Sequence, residues 1–233
     1  MNGTYENIDC MELMARYPDN HFDLAIVDPE FGIGIAKSAR LVTDKGLKPK
    51  NWDDKPINPK YFSELFRVSK NQIIWGGNYM TEFLKAKPCW IVWDKNNGDS
   101  LFADAELAWT SFDTPIRISK VHWCGSAAIH ETGKNKIHPT QKPIKLYDWI
   151  YQKYTKPGQR ILDTHLGSGS NRIAAHKNGL HFVGFEIDEE YYYSQEGRFK
   201  SYLSQPTLFD LPRAVGVLNS NAPTLNFEQS TEL

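Results

Sequence analysis

Apolar residues fall into two patterns along this chain: short continuous runs closed by acids, prolines or glycines, and longer stretches where they recur every three or four positions. The runs predict strands at 22–27, 72–75, 89–93, 106–109, 160–163 and 181–185, with 22–27 continuous enough to be buried on both faces. The second pattern predicts a helix over 9–17, with Asp9 as its N-cap and Pro18-Asp19-Asn20 as its stop. Another opens at Asn58-Pro59 and carries Tyr61, Phe62, Leu65 and Phe66 on one side. Further helices are expected over 143–154, over 172–177 with Gly179 as C-terminal cap, and over 189–203. Strands and helices alternate, which predicts an α/β fold with a mostly parallel sheet and helices on both faces.

Two stretches, 36–60 and 113–137, lose periodicity and read as irregular inserts. Beyond residue 203 the composition turns to Pro, Asn, Ser and Thr, so one domain over 1–203 and a disordered tail over 204–233 are expected. No internal repeat is visible. At 233 residues and 40% hydrophobic, the chain is long enough for one substantial core.

The net charge of −1 gives no global basic signature, so any nucleic-acid contact must come from a local patch. The first insert supplies one candidate, with Lys37, Arg40, Lys45, Lys48, Lys50, Lys55 and Lys60 against three acids on what reads as a long mobile loop. The second insert supplies a weaker one, mixing Arg117, Lys120, His122, Lys134 and Lys136 with Trp123. Cys10, Cys89 and Cys124 are too few and scattered for a disulfide framework or a zinc site. With no apolar run near ~20 residues and a polar N-terminus, a cytoplasmic protein without metal or membrane span is expected.

Candidate chemistry starts where the 22–27 strand stops, at Asp28-Pro29-Glu30-Phe31-Gly32-Ile33-Gly34. Asp28 belongs at the carboxyl end of a buried strand, where open α/β sheets bind ligands. Its carboxylate and the Pro29 carbonyl suit both hydrogens of an exocyclic amine, and Phe31 suits stacking on a flat ring. A second site follows the 160–163 strand. There Asp163-Thr164-His165-Leu166-Gly167-Ser168-Gly169-Ser170, a helix, a strand and Glu186 form a βαβ unit with the logic of a nucleoside site, the terminal acid taking both ribose hydroxyls. The compact loop His138-Pro139-Thr140-Gln141-Lys142-Pro143 lies between the two in sequence.

With these three motifs the chain resembles the S-adenosylmethionine-dependent exocyclic-amine DNA methyltransferases. Their signatures read Asp-Pro-Pro-Tyr, His-Pro-Thr-Gln-Lys-Pro and Asp-Pro-Phe-x-Gly-Ser-Gly-Thr. The second is intact here, the others are altered, and the resemblance spans residues 4 to about 200. It implies a Rossmann-like methyltransferase fold, and the order of the motifs is that of the family's beta group. By the same resemblance Asp9 and Cys10 lie beside the cofactor's adenine, and Glu186 takes the ribose hydroxyls. Asp163 and the Gly167-Ser168-Gly169 backbone, in the loop that also holds His165, take the methionine part. The loop with His138 and Lys142 closes over the cofactor.

The implied reaction is direct methyl transfer to an amine of a flipped-out base, with Asp28, Pro29, Glu30 and Phe31 as the catalytic loop and no metal. In the family an Asp at the head of this motif usually accompanies adenine-N6 methylation, which is the expected target; cytosine-N4 is the alternative. Glu30 replaces the second proline, which leaves open a protein that binds cofactor and DNA but transfers methyl groups weakly. On the sequence alone, restoring Glu30→Pro is expected to keep or raise turnover. Carbon-5 cytosine methylation would need a nucleophilic cysteine, and Cys89 sits in a strand pattern that favours packing. RNA or protein methylation stays open, as does a restriction partner.

Besides DNA, two partners are suggested. Members with this motif order are often dimers, which leaves a homodimer open although no self-complementary face is legible. The tail run Gln205-Pro206-Thr207-Leu208-Phe209 resembles the short peptides that bind the bacterial sliding clamp, with Gln205 as anchor and Leu208 and Phe209 for an apolar pocket.

Overall fold

Strand β2 (Leu24–Val27) is buried at every position and lies near the middle of an eight-stranded sheet. The computed structural model describes residues 3–43, 46–98, 102–123 and 136–205. The other strands are β1 (Gly3–Glu6), β3 (Gln72–Trp75), β4 (Trp90–Asp94), β5 (Ala105–Thr110), β6 (Arg117–Lys120), β7 (Arg160–Asp163) and β8 (His181–Phe185). Their order across the sheet is β1-β8-β7-β2-β3-β5-β4-β6. All pairings are parallel except those of β5, which runs antiparallel to both β3 and β4. The expected mostly parallel α/β sheet is therefore present.

Side chains alternate between the two faces, as the strand period of two requires. Leu24, Ile26, Ile73, Trp75 and Ile161 join one core cluster, closed by Leu146, Ile150 and Tyr151 of helix α3 (Ile144–Tyr154) and Ala174 and Ala175 of α4 (Ser170–Lys177). Ala25, Val27, Ile74 and Leu162 join the other. It is closed by Leu13 and Met14 of α1 (Cys10–Met14) and Tyr61, Phe62, Leu65 and Val68 of α2 (Pro59–Val68). Helix α5 (Glu189–Leu203) has the expected bounds, and Asp188 caps its first turn. The Asn58 cap of α2 and the Asp9 cap of α1 are also present.

Two local expectations fail, and one strand was not foreseen. Helix α1 stops at Met14 because the amides of Arg16 and Tyr17 bond three residues back, to Leu13 and Met14, in tightened turns. β1 was not foreseen, since a Gly-Thr-Tyr-Glu edge strand beside β8 has little apolar pattern. β6 lies inside the stretch read as irregular. Its pattern is inverted, with Ile118 58% exposed and Ser119 fully buried.

The first insert is also more fixed than a free loop. The buried Asp53 carboxylate accepts from the amides of Phe31, Gly32 and Ile35 at 2.8–2.9 Å, holding the turn after the Asp28 motif. Lys37 pairs with Asp54, and Lys50 with Asp188 and Glu190, so part of the insert's positive charge is neutralised internally. Lys45, Cys124, Lys134, Leu208, Phe209 and the tail from residue 206 lie outside the described residues. Among the described residues no helix is long and apolar enough to cross a membrane.

Candidate active site

Because β2 and β7 are adjacent and parallel, their carboxyl ends deliver Asp28 and Asp163 to the same edge of the sheet. The chain order reverses there, with the first half of the sheet meeting the second, which is the topological switch point where such folds bind ligands. A cleft of about 1280 Å³ opens over that edge. Its lining includes Asp9, Cys10, the 28–31 loop, His138, Lys142, His165, Gly167, Ser168 and Glu186. Asp163 and Gly169 are not on the wall itself: both belong to the support beneath it.

The floor of the cleft is an electrostatic chain. Lys142 Nζ contacts Asp28 Oδ2 and reaches Glu106 Oε2 at 3.2 Å, while Glu106 Oε1 pairs with Lys95 at 2.8 Å. Burial pushes the Lys142 ammonium down, but the two carboxylates outweigh it and raise its pKa, so it stays charged. Burial raises the Asp28 carboxyl, with Lys142 opposing. Burial likewise works against charge on Glu106, but Lys142 and Lys95 prevail and hold it below the usual range. Lys142, expected over the cofactor, lines the cleft and is the counter-ion of Asp28. Asp28 Oδ1 is shut off from solvent and has no hydrogen-bond partner among the described residues. It is a spare acceptor beside the cleft.

Phe31 lies against Gly76, where a Cβ would come within 2.1 Å of its ring, and stacks on Tyr79 with centroids 5.0 Å apart and 17° between planes. Gly76 also has φ +66°, so glycine is required there on two counts. Tyr79 is 55% exposed at the mouth of the cleft.

On the other side, Asp163 Oδ1 accepts from the His165 amide at 3.0 Å and Oδ2 from Asn171 Nδ2 at 2.9 Å. Burial raises its carboxyl to about 6. Glu186 accepts from the amides of Gly167 and Asp188 at 2.8 and 2.9 Å, leaving each oxygen a second lone pair. The His138 ring lies 3.6 Å from where a Gly167 Cβ would be, between Trp52 and Tyr191. Burial drives its pKa down to about 3, so it is a neutral, largely apolar cover. Cys10, pushed up to about 12 chiefly by burial, is an uncharged thiol. Asp9 spends one oxygen on the N-terminus of α1.

This donor set fits S-adenosylmethionine. Glu186, at the end of β8, lines the cleft with acceptors to spare for a diol; Asp163, at the end of the adjacent β7, adds negative charge from beneath, and Ile8 and the 62% exposed Ile187 border the space for a flat ring. Sequence reading missed Glu106, Lys95, Asp53, Asn171, Tyr79 and Trp52, whose roles arise only from tertiary contacts. It also placed nucleic-acid chemistry on Trp123 and Lys136, and both do line the cleft. Cys89, by contrast, is fully buried outside the cleft wall, 3.7 Å from the Tyr154 hydroxyl.

Known proteins resemble this chain in sequence and in fold. The sequence profile of the N6/N4 methyltransferases, described as DNA methylase, matches residues 119–196. The chain is 26% identical over 210 residues to "Putative methylase YubD" of Escherichia coli (strain K12), covering 82% of this chain and 87% of that one. Among solved structures, the M1.HpyAVI–SAM complex superimposes with a TM-score of 0.56 at 19% identity, covering 84% of this chain and 98% of that one. The cytosine-N4-specific PvuII DNA methyltransferase gives 0.57 at 17%, covering 85% and 86%. The structural likenesses carry the Rossmann-like methyltransferase fold, and the profile and the motifs carry the chemistry. The profile match and the motifs together support an S-adenosylmethionine-dependent exocyclic-amine DNA methyltransferase similar to the N6/N4 family.

Proposed function

We propose that this DNA methyltransferase acts on the N6 amine of adenine, and that residues 1–203 form its methyltransferase domain. The observation that carries the reading is the division of labour at Asp28: Oδ2 is held by Lys142, and Oδ1 is left as an unpartnered acceptor. Once the carboxylate turns this closed oxygen toward the cleft, an incoming amine gives one hydrogen to Oδ1 and one to the Pro29 carbonyl, which turns its lone pair out of the plane of the base. Phe31 supplies the stacking face and Tyr79 stands where the extruded base enters.

The cofactor supplies an electrophilic methyl group when bound. Glu186 takes the ribose hydroxyls, Asp163 and the 167–169 backbone take the methionine part, and Asp9, Cys10 and Ile187 border the adenine. His138 covers the Gly167 turn and keeps water out. As the amine nitrogen gains positive charge, the Asp28 carboxylate stabilises it and is the nearest acceptor for the proton it must lose. The Asp at the head of the motif supports adenine over cytosine. Nucleoside mass spectrometry of unmethylated mixed-sequence duplex DNA, after incubation with protein and S-adenosylmethionine, tests this: N6-methyladenine is expected, and N4-methylcytosine would overturn the target.

A further inference from the structure

Glu30 stands where Asp-Pro-Pro-Tyr has its second proline, and His165 where Asp-Pro-Phe-x-Gly-Ser-Gly-Thr has its phenylalanine. The two altered positions are far apart in sequence, yet the adjacent ends of β2 and β7 bring them together. His165 Nε2 lies 3.4 Å from Glu30 Oε2, and both side chains are largely buried. That Glu30 oxygen is closed to solvent and has no hydrogen-bond donor in good geometry among the described residues, so the imidazole is the charge that compensates it.

His165 is also held from behind. Its Nδ1 is 2.9 Å from Thr164 Oγ1, whose hydroxyl meets the Tyr61 hydroxyl of α2, and its ring lies edge-on to Tyr61 with centroids 5.6 Å apart. The charged groups facing it are Glu30, Glu186, Asp163 and Asp28. Burial opposes its protonation, but Glu30 foremost among these carboxylates raises it to about 9. Burial similarly opposes charge on Glu30, and His165 holds its carboxyl below the usual range.

We propose that Glu30 and His165 are a pair of positioning residues whose ion pair fastens the amine-binding loop to the cofactor loop, where the two motifs carry an apolar proline and phenylalanine. This rests on the reading of 28–31 and 163–170 as those two loops. Either alteration alone strands a partner in a low-dielectric site, while the two together satisfy each other. The pairing therefore reverses the expectation for Glu30→Pro: made alone, it impairs the enzyme.

The test is a cycle of Glu30→Pro, His165→Phe and the double variant, read by melting temperature and by S-adenosylmethionine affinity in calorimetry. Each single change is expected to weaken cofactor binding about tenfold or more, and the double variant to return within about threefold of wild type. Losses that simply add in the double variant would overturn the pairing. Glu30→Gln provides a measurement that does not depend on tolerance of proline. By NMR, the His165 ring should titrate near 9 in the wild type and fall to the ordinary ~6.5 or below in Glu30→Gln. An unmoved midpoint would overturn the proposal. None of these readouts requires methyl transfer, so a protein with the pair intact and no transferase activity would count against the functional reading alone.

Discussion

Asp28 and Lys142 stand 114 residues apart in the chain and form an ion pair on the floor of the cleft, where Lys142 also reaches Glu106 at 3.2 Å. One buried cation thus serves two carboxylates from two strands. Lys142→Met leaves Asp28 unpaired and Glu106 with Lys95 alone, and removing one partner from such a site costs about 3–5 kcal/mol. Burial already raises the Asp28 carboxyl and Lys142 restrains it, so the variant raises it further. The expected result is a lower melting temperature and an acid limb of the pH–rate profile displaced to higher pH. A profile that keeps its wild-type acid limb would contradict the account.

Gly76 is the wall on which Phe31 rests. A Cβ there comes within 2.1 Å of the Phe31 ring and also forces an alanine to φ +66°. Gly76→Ala should therefore displace the stacking ring, raising KM for DNA and lowering kcat/KM by about 10–100-fold. Cofactor affinity, set on the other side of the cleft, should not change. Calorimetry beside steady-state kinetics separates the two.

Asp163 gives a pH dependence with a definite sign. Burial raises its carboxyl to about 6, and in the proposed role its ionised form supports, from beneath the cleft, the ammonium-bearing end of the cofactor. Cofactor affinity should be level above pH 7 and decline as pH falls through 6, by up to about tenfold per unit at lower pH. In Asp163→Asn the affinity should be weak and lose this dependence. Binding isotherms between pH 5 and 8 check it.

Asp53 gathers the amides of Phe31, Gly32 and Ile35 on one carboxylate. Asp53→Ala strands these donors, at a cost of about 3 kcal/mol or more in total. It should lower the melting temperature and loosen the 28–31 loop, so that kcat falls while the cofactor still binds. Chemical denaturation with a paired activity assay measures both.

The sheet and the two halves of the site were legible because their signals are local. An apolar run that stops at Asp28-Pro29 marks a strand end, and a glycine loop between a strand and a helix marks a turn that must approach a ligand. The supporting residues carry no such mark. Asp53 sits in a lysine-rich stretch and reads as solvated polar chain, yet its side chain is buried. Glu106 reads as one polar position in a strand, and only the pairing of β5 with β4 sets it beside Lys95 and Lys142. β6 was read as irregular because it turns Ile118 outward and Ser119 inward, against the usual pattern. The pairing of Lys142 with Asp28 could not be read from its loop, because a long side chain can place its charge far from its backbone.

The central claim is that Asp28 uses its unpartnered oxygen to hold the target amine. The most direct measurement is single-turnover methyl transfer to unmethylated duplex DNA by wild type and Asp28→Asn, with S-adenosylmethionine affinity measured on the same preparations. The account predicts N6-methyladenine from the wild type and a rate about 10²–10³-fold lower in the variant, at nearly unchanged cofactor affinity. A variant that methylates at the wild-type rate while binding cofactor normally would contradict it.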